Sequence, residues 1–121
     1  MAKILLIDDD EALLAVFTTA LKKDGFETVT ASTGAQGLEK AKSEKPDLIL
    51  LDQILPDISG NEVLKQVKAN EITKNIPVII LSNFSQEELV KEAINEGARD
   101  YVFKYQVATS DVVNKVKDAL A

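Results

Sequence analysis

The sequence predicts an α/β fold: a three-layer sandwich in which a five-stranded parallel sheet lies between layers formed by five helices. Three observations carry this. Ile4 to Ile7, Leu48 to Leu51 and Val78 to Leu81 are nearly continuous runs of Ile, Leu and Val, the composition of strands covered on both faces. Stretches with helical periodicity separate the runs, so the order is β-α repeated about five times. Capping signals stand at the junctions between them.

Each element has its own signal. After the first strand, Leu13, Leu14, Phe17 and Leu21 form a helical stripe, with Asp10 as N-cap and Gly25 where a left-handed C-cap would end the helix. Phe26 to Ala31 alternates apolar and polar residues, which suits an edge strand. Leu38 and Ala41 give a weaker stripe behind a Thr33–Gln36 capping box, weakened further by Gly34 and Gly37. Ser59 and Glu62 open a helix carrying Val63, Leu64 and Val67. Ser85 and Glu88 open another carrying Leu89, Val90, Ala93 and Ile94, with Gly97 at its end. Tyr101 to Phe103 is a short fifth strand, and Val112, Val113, Val116 and Leu120 form the last stripe. Right-handed crossovers between parallel strands complete the sandwich. The strand order 2-1-3-4-5 is adopted by analogy with flavodoxin-like sheets. No linker, repeat or low-complexity tract interrupts the pattern, so residues 1–121 are expected to form one domain.

Composition narrows the chemistry. The chain has no Cys and no His, which excludes disulfides, thiolate nucleophiles, Ser–His and Cys–His pairs and an ordinary zinc site. A metal must then be held by oxygen, which favours a hard cation such as Mg²⁺ (or Mn²⁺). A net charge of −6 without a dense basic cluster argues against nucleic-acid binding. No apolar run approaches the roughly 18 residues of a membrane span, and the start of the chain does not read as a secretory signal. With the absence of Cys, a cytoplasmic location is expected.

Ligands of doubly wound sheets bind beyond the carboxyl ends of the strands. The first apolar run ends in Asp8-Asp9-Asp10, the third in Asp52, the fourth in Ser82 and the fifth in Lys104. If the first and third strands are neighbours, the acids converge. Two carboxylates about 4 Å apart repel by roughly 4 kcal/mol at an effective dielectric of 20, and a divalent cation between them removes that penalty. Lys104 would neutralise an oxygen of an incoming phosphoryl group, and Ser82 would donate a hydrogen bond to another. Phosphoryl transfer asks mainly for such positioning and neutralisation. An aspartate is a suitable nucleophile for it. Asp10 is explained as a helix cap, and Asp57 as a turn residue within Pro56 to Gly60.

Four segments together resemble a response-regulator receiver domain over the whole chain. They are Ile4 to Asp10, Leu50 to Gly60, Pro77 to Ser82 and Gly97 to Lys104. The resemblance implies a phosphoacceptor signalling switch of a two-component phosphorelay, loaded from a phosphohistidine on a sensor histidine kinase or histidine phosphotransfer protein. It implies Asp52 as phosphoacceptor, with Asp8, Asp9, Asp52 and the Ile54 carbonyl around Mg²⁺. Asp9 would bind directly and Asp8 through water. Ser82 and Lys104 would steady the phosphoryl group. Ser82 and Tyr101 would act as the switch, the ring turning inward on phosphorylation and altering the surface of the fourth helix, fifth strand and fifth helix for a downstream protein target. Such a domain modifies itself and is not an enzyme acting on a separate substrate.

The chain departs from the family pattern in places. Tyr105 follows Lys104 where the family usually has Pro, so a trans Lys104–Tyr105 peptide is expected. Ile54, Asn83 and Phe84 occupy positions resembling those that tune hydrolysis; the apolar Ile54 and Phe84 would shield an acyl phosphate and give it a long life. Two other functions compete. A haloacid-dehalogenase-type phosphatase would use Asp8-x-Asp10, but Glu11 follows and no acidic pair follows the fourth strand. A receiver fold serving as an unphosphorylated interaction module would not need the intact Asp8, Asp9, Asp52, Ser82 and Lys104. A flavodoxin reading fits less well still, because FMN needs a loop rich in Gly and hydroxyl residues after the first strand and that loop here is all acid.

Overall fold

The computed structural model describes residues 1–83, 86–104 and 108–121. Five strands, β1 (Lys3–Ile7), β2 (Glu27–Ala31), β3 (Leu48–Leu51), β4 (Val78–Ser82) and β5 (Asp100–Phe103), alternate with five helices. These are α1 (Glu11–Lys23), α2 (Gly34–Ser43), α3 (Gly60–Ala69), α4 (Glu87–Asn95) and α5 (Thr109–Leu120). All strand pairs are parallel and the order is β2-β1-β3-β4-β5, as expected.

The continuous apolar runs are explained by two cores, one on each face of the sheet. Successive strand side chains point to opposite faces. Leu5, Ile7, Ile49, Leu51, Val78, Ile80 and Tyr101 pack with Ala41, Val63, Leu64, Val67 and Ala93, that is, against α2, α3 and α4. Ile4, Leu6, Leu48, Leu50, Ile79, Leu81 and Val102 pack with Phe17, Leu21, Val112, Val113 and Val116 of α1 and α5. A polar residue anywhere in β3 would lose about 1.5–3 kcal/mol of burial on one face or the other. Hence Leu48-Ile49-Leu50-Leu51, buried throughout.

The helix ends follow elementary capping. Asp10 and Thr33 accept the backbone N–H groups of Leu13 and Gln36. Gln36 reaches back to the N–H of Ser32 rather than that of Thr33, so the expected capping box is offset by one residue. Ser59 accepts from Glu62. Gly25 and Gly97 hold φ of 88° and 104° behind α1 and α4, the left-handed conformation predicted for them. Gly34 and Gly37 do not prevent α2. Both are buried, and a Cβ on Gly37 would collide with Ile7, so the missing side chain is what lets α2 lie close to β1.

Two expectations need correction. Ile94, assigned to the buried stripe of α4, is 48% exposed; only Ala93 of this helix is fully buried, and Ile94 lies about 100° further round. Helix α4 has Gln86 at its cap position, without a side-chain bond. Ser85, the expected cap, lies outside the described residues, as do Phe84 and the Lys104–Tyr105 peptide.

Candidate functional site

Strand register brings the acids together. Ile7 pairs with Leu51, so Asp8 and Asp52 leave adjacent strands at the same level. The Asp52 N–H donates to the Ile7 carbonyl at 2.9 Å, and the Asp8 N–H donates to the Ala31 carbonyl at 3.0 Å. Both aspartates continue the alternation of Leu6 and Leu50, which face α1 and α5. Leu6, Leu13, Leu14, Phe17, Leu50 and Leu81 line the space beneath them. Asp8 and Asp52 are 5% and 8% exposed. Asp9 is exposed, yet one carboxylate oxygen from each of Asp8, Asp9 and Asp52 lies within 4.8 Å of the others.

The cationic side comes from β5. Phe103 pairs with Ser82, and the next residue, Lys104, donates its N–H to the Ser82 carbonyl at 2.9 Å. Its side chain then turns back over the acids. Nζ donates to Asp8 Oδ2 at 2.9 Å and stands 3.3 Å from Asp52 Oδ1. The sequence placed this ammonium across from the carboxylates; the structure has it in contact with two of them.

These contacts set the proton affinities. Burial first, and then the Asp8 charge, raise the Asp52 carboxyl to about 6 against the opposing pull of Lys104. Burial on its own lowers Lys104, but its hydrogen bond to Asp8 and the charges of Asp52 and Asp8 leave it above its ordinary value. Three carboxylates against one ammonium leave two negative charges when all are ionised. The donors are oxygens, and the surplus matches a divalent cation.

The remaining predicted residues fall as follows. Ser82 is fully buried at the end of β4. Tyr101 is already buried, its ring centroid 5.7 Å from that of Phe103. Ile54 is 51% exposed, with its backbone bridged to Ser59. Asn83 is exposed, and Phe84 lies outside the described residues. Asp10 belongs to α1: its carboxylate caps Leu13 while its own N–H donates to Asp8 Oδ1 at 2.9 Å. That use of Asp10 removes the second acid that the phosphatase reading required.

Three residues around the site escaped sequence reasoning. Asp57 is more than a turn residue: its carboxylate accepts the N–H groups of Gly34 and Ala35 at 2.8 and 2.9 Å, capping α2 from another loop. Those bonds hold its carboxyl below the usual range. Gln53 and Asn61 are buried and hydrogen-bonded to each other. Asn61 gives a weak signal, since it stands three residues before Leu64, at the margin of the stripe that faces inward. No spacing signals the reach of Asp57 to α2.

Comparison with known proteins agrees with this geometry. Residues 4–117 match the family described as the response regulator receiver domain. The alkaline phosphatase synthesis transcriptional regulatory protein PhoP of Bacillus subtilis is 37% identical over 102 residues, 84% of this chain but 42% of PhoP. The chain therefore spans less than half the length of that relative. Protein PilH of Pseudomonas aeruginosa is 36% identical over 104 residues, 86% of either chain. A CheY-like receiver domain protein from Methanospirillum hungatei superposes with a TM-score of 0.93 at 31% identity, over 99% of this chain and 94% of that one. With the site assembled at the carboxyl edge of a 2-1-3-4-5 sheet, the chain belongs to the response regulator receiver domains, the phosphoacceptor signalling switches of two-component phosphorelays.

Proposed function

We propose that Asp52 is the phosphoacceptor of this receiver domain and that residues 1–121 act as one unit. The supporting observation is the position of Lys104, whose ammonium lies 2.9 Å from Asp8 and 3.3 Å from Asp52 within the carboxylate cluster. Receiver domains interact with histidine kinases and bind Mg²⁺ through acidic residues. Here Asp8, Asp9, Asp52 and the Ile54 carbonyl would hold Mg²⁺ or Mn²⁺. Bound there, the cation supplies charge neutralisation and a grip on phosphoryl oxygens.

Asp52 supplies a carboxylate oxygen that bonds to phosphorus as the P–N bond of the donor phosphohistidine breaks. The released imidazole takes the electron pair and then a proton from solvent. Lys104, already aimed at Asp52, neutralises a phosphoryl oxygen, and Ser82 donates to another. Asp52 is consumed in the step, so the domain switches rather than turns over. The donor is a sensor kinase or phosphotransfer protein in the cytoplasm, and the output passes to a protein target through the surface of α4, β5 and α5. Tyr101 starts from a buried ring, so the expected inward motion has little distance left to cover.

The test is intact mass after incubation with acetyl phosphate and Mg²⁺. One phosphoryl group should add to the native chain and none to Asp52→Asn; equal labelling of both rejects the assignment. Decay of the labelled protein measures the predicted long life: loss within seconds contradicts it, and polar replacement of Ile54 should hasten loss.

A further inference from the structure

Directly behind Asp52 lies a pair of buried amides that the reaction above does not use. Gln53 and Asn61 are 1% and 5% exposed. Gln53 Nε2 donates to Asn61 Oδ1 at 2.9 Å, and the Asn61 N–H donates to Gln53 Oε1 at 2.8 Å. The Gly60 N–H donates to the Gln53 carbonyl at 2.7 Å, and the Glu62 N–H to Ser59 Oγ at 3.1 Å. The first three N–H groups of α3, which no helical carbonyl can accept, are thus all taken, two of them by Gln53. Asn61 Nδ2 in turn donates to the Leu89 carbonyl of α4 at 3.4 Å. There is no slack in the turn: a Cβ on Gly60 would collide with the Asp52 carbonyl.

Two aliphatic side chains would fill this space without the cost of desolvating two amides. What the amides add is direction. Hydrogen bonds at both its side chain and its carbonyl, which accepts, fix residue 53, and its neighbours on either side are Asp52 and Ile54. We propose that Gln53 and Asn61 are positioning residues for the phosphoacceptor. Their pairing holds the main chain so that the Asp52 carboxylate and the Ile54 carbonyl address the same cation, and the bond to Leu89 ties that main chain to α4. This rests on the reading of Asp52 as phosphoacceptor and of Ile54 as a metal ligand.

The experiment compares Asn61→Leu, the double variant Gln53→Leu/Asn61→Leu and the native chain. The single variant strands the Gln53 amide and should lower the thermal midpoint. The double variant removes both polar groups and should recover most of that loss. Its Mg²⁺ affinity, by calorimetric titration, should nevertheless fall about tenfold or more, as for residues that orient metal ligands. Its rate of labelling by acetyl phosphate should fall with it. A double variant that binds Mg²⁺ and takes up phosphate like the native chain overturns the proposal. Absence of labelling in the native chain would instead reject the phosphoacceptor reading. If the double variant does not fold, the side-chain amide signals of Gln53 and Asn61 in the native protein decide. They should move during Mg²⁺ titration with the dissociation constant shown by the Asp52 backbone signal, and stationary signals at saturation reject the pair's role.

Discussion

Asp52 is held where its charged form is least welcome: buried, beside Asp8, and relieved in part by Lys104. Removing the ammonium shows how much relief it gives. Lys104→Met leaves two buried carboxylates without their counter-charge and raises Asp52 beyond about 6, because a lowering influence is lost. Without metal at pH 7.5, chemical denaturation should show a loss of roughly 2 kcal/mol. This is less than the usual 3–5 for an orphaned buried charge, since Asp52 can take up a proton instead. Mg²⁺ should restore much of the loss by supplying the missing positive charge, while labelling at Asp52 stays slow. A variant as stable as the native chain without metal would show that the Lys104 contacts carry no weight.

At the scale of elements, the site depends on close approaches that glycine permits. Gly37 lets α2 press on Ile7, the residue before Asp8. Gly37→Ala has two opposed effects. It improves helix propensity by about 1 kcal/mol, but it forces Ile7, 1% exposed and held by both β2 and β3, out of its place. Overpacking costs about 1–3 kcal/mol, so the net expectation is a lower thermal midpoint, together with weaker Mg²⁺ binding as Asp8 shifts. A raised midpoint would show that Ile7 can give way. The same glycine marks the limit of what the sequence displays. Strand runs, caps and charged strand ends were legible because each follows from local periodicity. Gly34 and Gly37 read only as weak helix formers, because the neighbours that need the space, Ile58 beside Gly34 and Ile7 beside Gly37, lie outside α2. Asp57 was opaque for the same reason: its partners at Gly34 and Ala35 are 23 and 22 residues away and announce nothing in the letters around it. Asn61 was only faintly legible, by its place at the margin of the inward stripe of α3. Ile94 was misassigned because periodicity alone does not say how wide a stripe the sheet will cover.

For the whole molecule, the proposed cation would draw on the same carboxylates whose protonation affects folding, so each process should report on the other. Asp52 titrates near 3.9 in an unfolded chain and near 6 in the fold. Between those values the folded state holds more protons than the unfolded one. The stability of the metal-free protein therefore falls as pH rises through that window and is lowest above it, where Asp52 is ionised against Asp8. Mg²⁺ needs the ionised form, so its effect runs the other way. At a hundred times its dissociation constant it should stabilise the fold by about 2.7 kcal/mol, a rise in thermal midpoint of roughly 10 °C for a chain of this size. That rise should be full at pH 7.5 and shrink steadily below pH 6, as protons compete for Asp52. Asp52→Asn separates the two terms. Without metal at pH 7.5 it should melt higher than the native chain, because the crowded charge is gone, and it should lose most of the response to Mg²⁺. Thermal melts of both proteins at pH 5 and pH 7.5, with and without Mg²⁺, check every sign. A native chain whose midpoint ignores Mg²⁺ at pH 7.5 would mean that the acids beside Lys104 do not hold a cation.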